Sequence, residues 1–97
     1  MEGAYSIIET PTLEKIAGML EQEGMDSSEV FKARIDITYY VNFLRSFLNK
    51  DLSESNELDL EEFRKYIKKD INFPELDARR YNHAKLAMEK LKEIKNK

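Results

Sequence analysis

Cysteine and tryptophan are absent from the 97 residues, histidine occurs once, proline twice and glycine three times. Without cysteine there can be no disulfide, thiolate metal centre or cysteine nucleophile, and stability has to come from apolar packing. That suits a reducing compartment, and a cytoplasmic location is expected. Glycine stands only at positions 3, 18 and 24, so no glycine-rich phosphate loop of the Walker or dinucleotide type can form. No apolar run approaches the roughly 20 residues needed to span a membrane. The stretch MEGAYSIIETPT carries acid where a secretory signal would carry base, and a soluble, unprocessed chain without membrane contact is expected.

What the sequence does contain is 41% apolar and 36% charged residues, a composition that fits one compact domain over 1–97. The net charge of −3 conceals a lopsided distribution. Residues 1–63 hold 14 acids against 5 bases, a balance of −9, and residues 64–97 hold 5 acids against 11 bases, a balance of +6. Such asymmetry marks either a basic surface for an acidic or nucleic-acid partner, or two halves that pack together and neutralise each other.

Helical periodicity dominates the chain. Thr10 and Pro11 open a segment with Leu13, Ile16, Ala17 and Leu20 on one face and Gly24 as its stop, which predicts a helix over 11–23. Asp26, Ser27 or Ser28 caps the next, with Glu29 placed to close a box from Asp26; Val30, Ala33, Ile37, Val41, Leu44 and Leu48 carry it over 28–49. Asp59 with Glu62 reads as the cap of a third helix over 59–69. After the connector DINF, Pro74 opens a fourth over 74–95. The expected fold is all-α, a single bundle of four helices of unequal length around a long central second helix. Residues 1–9 form an extended arm containing the strand-like AYSII, and 93–97 fray. The expected core is led by Leu20, Ile37, Leu44, Phe47, Phe63, Ile67, Met88 and Leu91.

Between the second and third helices, DLSESNELDLEE (residues 51–62) places oxygen-bearing side chains at positions one, three, five, nine and twelve. This spacing resembles an EF-hand calcium loop. The resemblance implies side-chain oxygens from Asp51, Ser53 and Ser55, the Glu57 carbonyl, a direct or water-mediated contact from Asp59 and a bidentate Glu62. The segment departs from the family pattern in having Asn56 where glycine makes the sharp turn, serines at the third and fifth positions, and no second loop to brace it. Polar loop chemistry followed by a helix cap accounts for the same residues without metal, and no cofactor is expected.

On the fourth helix, Arg79, His83, Lys90 and Lys97 fall in one sector at 100° per residue, a basic ridge that could track nucleic-acid phosphates. Glu89 and Glu93 edge it, and no aromatic is interleaved for base stacking. Arg79 and His83, one turn apart, resemble the arginine and histidine of helical ribonucleases, but the chain supplies no second half of an active site unless it dimerises. Arg80 points toward the apolar side and calls for an acid from the N-terminal half. With no catalytic constellation elsewhere, an enzyme is not expected.

The second helix carries a further pattern. Beyond its core stripe, Phe31, Ile35, Tyr39 and Phe43 recur every fourth residue on a flank. Such a row needs a cover, supplied either by another chain or by the fourth helix or the N-terminal arm, with Tyr5, Ile7 and Ile8, of its own chain. The expected function is therefore a non-enzymatic protein-interaction module, an accessory subunit, adaptor or small regulator, meeting another protein or its own copy through this row. Nucleic-acid association through the basic ridge and weak calcium binding at 51–62 stand as alternatives.

Overall fold

The computed structural model describes residues 11–68 and 74–96, and all regular structure among them is helical. Four helices make the bundle: α1 (Pro11–Gln22), α2 (Ser27–Phe43), α3 (Glu57–Ile67) and α4 (Pro74–Lys95). The expected arm at 1–9, the cap at Thr10, the DINF connector and Lys97 lie outside the described residues.

Local chemistry sets most boundaries. Leu13, Ile16, Ala17 and Leu20 form the buried face of α1. The helix closes through Gly24 at φ 95°, with Met25 N–H donating to the Leu20 carbonyl at 3.1 Å, the six-to-one bond of a glycine-terminated helix. Asp26 caps α2, accepting from the Ser28 N–H at 3.1 Å and its hydroxyl at 2.7 Å. For α3 the cap is Asn56 rather than Asp59. The two residues bond reciprocally, each side chain accepting from the other's N–H at 3.0 Å, so Asp59 is the third residue of the helix. Sequence reasoning chose the right kind of box but placed it three residues late, because Asn56 and Asp59 have the same spacing as Asp59 and Glu62.

α2 does not continue as an α-helix to 49. It passes at Leu44–Leu48 into a π turn, which Asn49 ends in the left-handed conformation at φ 54°. A turn bonded i to i+5 holds one residue more than an α turn, so the chain beyond it is rotated by about one residue step, ~100°. Leu44, at the start, stays fully buried; Phe47, expected in the core, is 62% exposed.

The core runs along α2, whose Val30, Ala33, Ile37, Tyr40 and Val41 meet the buried face of α1 on one side and Ala84, Ala87, Met88 and Leu91 of α4 on another. Phe63 and Ile67 of α3 fill the end near the π turn. Burial at Leu44 and exposure at Phe47 predict unequal costs for truncation three residues apart. Leu44→Ala should lose about 2–5 kcal/mol in urea unfolding, and Phe47→Ala less than about 1 kcal/mol; equal losses would mean that the π turn is absent in solution.

Candidate functional site

Two clusters concentrate the chemistry of the molecule. The first is aromatic. Tyr40 is fully buried, its ring 4.9 Å from Phe63, and its hydroxyl shares a 2.5 Å hydrogen bond with Ser55 Oγ. Burial pushes this phenol up to about 12, the Ser55 bond opposing it only in part. From Phe63 the rings continue outward through Phe43 at 5.4 Å and Tyr66, which lies 5.0 Å from Phe43 and 5.0 Å from Phe47. The cluster thus begins in the core and ends in an exposed ring. Edge and tilted packing of this kind holds its members at fixed angles.

The expected row on α2 is divided by this cluster. Phe31 is 55% exposed and Ile35 half-buried, while Tyr39 is half-buried against Phe63 and Tyr66, and Phe43 is buried at 6% exposure. Rings of α3 cover Phe43 and Tyr39, an element to which the periodicity of α2 does not point. Phe47 and Tyr66 complete the surface end of the cluster. Sequence periodicity assigned Phe47 inward, and a π turn leaves no mark in an apolar pattern.

The second cluster is polar. Asp36, with no exposure, sits in the middle of α2 and accepts Arg79 Nε at 2.8 Å and Nη2 at 3.0 Å, while His83 Nδ1 lies 2.5 Å from its Oδ2. Burial pushes the Asp36 carboxyl up, but the bonds and charges of His83 and Arg79 together outweigh it and hold it below its ordinary value. As an ionised carboxylate only accepts, His83 donates its Nδ1 proton, which fixes the ring's orientation. Arg79 and His83 are therefore tied to the protein itself. Lys90, 7% exposed, is paired with Glu23 and with Glu93 at 3.3 Å, so the three described members of the basic ridge all face acids of the same chain. Among the described residues Arg80 pairs with no acid of the N-terminal half: it lies 4.0 Å over the Tyr39 ring and 3.5 Å from Asp77 of its own helix. Arg79, one residue earlier, makes the cross-helix pair instead. With Lys90–Glu23 and Lys92–Glu57 it joins the basic fourth helix to the acidic half of the chain.

The 51–62 segment is organised by caps and burial. Asp51 accepts from the Ser53 hydroxyl at 3.1 Å and its N–H donates to Glu54 at 2.9 Å, closing a single 3-10 turn, Leu52–Glu54. Ser55 turns into the core toward Tyr40 and Met88, and Asp59, 6% exposed, is paired with Lys50 at 2.9 Å. Glu62 is exposed beside Lys65. Among the described residues no group of three His, Cys, Asp or Glu side chains could hold a metal ion. The oxygens that the EF-hand spacing brings into line are each taken by a cap, a core hydroxyl or a lysine.

The class that these observations define is an all-α helical bundle with a buried ion-pair tie and an aromatic cluster open to the surface. No protein-family model, curated protein or solved structure matches the chain. Among the described residues no helix is long and apolar enough to cross a membrane.

Because the folded carboxyl of Asp36 sits below its unfolded value of about 3.9, the folded chain binds fewer protons around that pH. Its contribution is present in full above about pH 5 and is lost as pH falls through the lower folded value. Asp36→Asn should cost about 3 kcal/mol at pH 7, by leaving Arg79 and His83 without their partner. In urea titrations the gap between wild type and variant should narrow from pH 5 toward pH 2; a constant gap would show that the carboxyl is not ionised in the fold.

Proposed function

We propose that the chain is a non-enzymatic protein-interaction module, an accessory subunit, adaptor or regulator, which docks on a partner protein through Phe47 and the aromatic cluster behind it. The observation that carries this reading is a ring 62% exposed yet packed at a tilt against Tyr66 and against Phe43, which is itself buried. An exposed aromatic normally loses side-chain freedom on binding; one backed by other rings has lost part of it already. Tyr39 and Phe43 of the expected row serve as this backing, and Phe31 and Ile35 remain as a second, outer contact. Arg45 and Arg64 lie beside the cluster in sequence and are exposed, suited to rim contacts that tune specificity more than affinity.

The partner is either another protein with a pocket for one large ring or a second copy of the chain. The nucleic-acid alternative has less support, since Arg79, His83 and Lys90 already face internal acids.

A photo-crosslinking phenylalanine at position 47, introduced in the cell of origin, tests the reading. A discrete adduct is expected, and its mass separates a self-adduct from another protein. The same probe at exposed Glu61 should give none. Phe47→Ser should weaken the association by about 2 kcal/mol or more with the thermal midpoint preserved. No adduct at 47, or equal adducts at 47 and 61, would remove this face as the interface.

A further inference from the structure

Beside the Asp36 tie, between α2 and the first turns of α4, lies a cleft of about 270 Å³. Its lining combines Ile35, Leu76 and the Tyr39 ring with the polar groups of Asp36, Asn42, Arg79 and Arg80. Thr38 also lines it, 4% exposed, and among the described residues its hydroxyl is the buried side-chain oxygen that has no hydrogen-bond partner. A threonine inside a helix ordinarily returns its hydroxyl to the carbonyl one turn back, and leaving it unbonded in a buried place is costly. Threonine divides between two helical rotamers, so rotation about χ1 is the movement that would bring this hydroxyl to a guest.

We propose that this cleft binds a small organic acid, a monocarboxylate with a short hydrocarbon body, held by Arg79 and Arg80 and completed by Asn42 and Thr38. A guanidinium carries five N–H donors in a planar fork. Arg79 spends two positions, Nε and Nη2, on Asp36 and keeps Nη1 for a guest. Arg80 gives Nη1 to Asp77 at a long 3.5 Å, and its plane is set by the Tyr39 ring beneath it. Asp36 and Asp77 already offset the two arginines, with His83 adding charge only when protonated. No surplus charge remains for any anion, and the Asp36 carboxylate itself lines the cleft. A guest is therefore held there by hydrogen bonds, and a monoanion costs less to place than a doubly charged phosphate. Ile35 and Leu76 would take the hydrocarbon. At ~30 Å³ per water the space equals about nine waters, below the 300–1,000 Å³ typical for larger ligands.

The experiment is a titration of the ¹⁵N-labelled full chain with sodium hexanoate, followed by amide chemical shifts, with 1-hexanol and inorganic phosphate as parallel arms. Saturable shifts centred on Ile35, Thr38, Asn42 and Arg80 are expected, with a dissociation constant on the order of 1 mM. Neither hexanol nor phosphate should reproduce them. Arg80→Gln should weaken hexanoate about tenfold. Thr38→Val should weaken it several-fold while the thermal midpoint is kept or raised, because the variant removes the unbonded hydroxyl; this second variant carries the test if Arg80→Gln does not fold. Four results would overturn the proposal: no saturation by hexanoate, an equal response to hexanol, an equal response to phosphate, or unchanged affinity in Thr38→Val.

Discussion

A carboxylate with no solvent exposure in the middle of the most buried helix is the constraint on which the arrangement of this bundle depends. Asp36 cannot stay ionised there unless its charge is met and its oxygens are bonded, and Arg79 and His83, one turn apart on α4, do both. Those two contacts fix the rotation and height of α4 against α2. With α4 so placed, Arg80 falls over the Tyr39 ring, Lys90 reaches Glu23 and the Ala84, Ala87 and Leu91 stripe faces the core. An apolar α2–α4 contact alone would tolerate small slips along its axis; a bidentate guanidinium and a histidine on one carboxylate tolerate few.

The other end of α2 is governed by the π turn. It lets Leu44 stay in the core while turning Phe47 outward, and the gap beneath is filled by Phe63 and Tyr66 from α3. The same turn positions the 51–62 segment, because Asn49 reverses the chain so that Lys50 meets Asp59 and Ser55 enters the core under Tyr40. A pattern that reads along the chain as a calcium loop is thereby spent on capping α3 and on sealing the bundle.

Much of the fold was legible in the linear chain. Segments with strong start and stop chemistry, the proline-led α4 and the glycine-terminated α1, show their ends within a residue of the structure. Asp36 stands between Ile35 and Tyr39 of the flank row, where periodicity reads it as a charge at the rim of the interface; the spacing shows neither that it is buried nor which base reaches it. Arg79 and Arg80 illustrate the difficulty: adjacent residues lie 100° apart, and the choice between them depends on how α4 is rolled against α2.

By itself the sequence determined the class of the fold, the number of helices, the Asp26 cap of α2, the glycine stop of α1 and the acidic and basic halves that meet across the bundle. These properties are written in spacings of three and four residues and in the local reach of side chains to nearby backbone groups. Only the tertiary structure decided which face of α2 remains open, which arginine joins Asp36, and that Thr38 is buried beside a cleft with its hydroxyl unbonded among the described residues. Each of those depends on contacts between residues 20 to 50 positions apart and on one extra residue in a helical turn, quantities to which hydrophobic periodicity is blind.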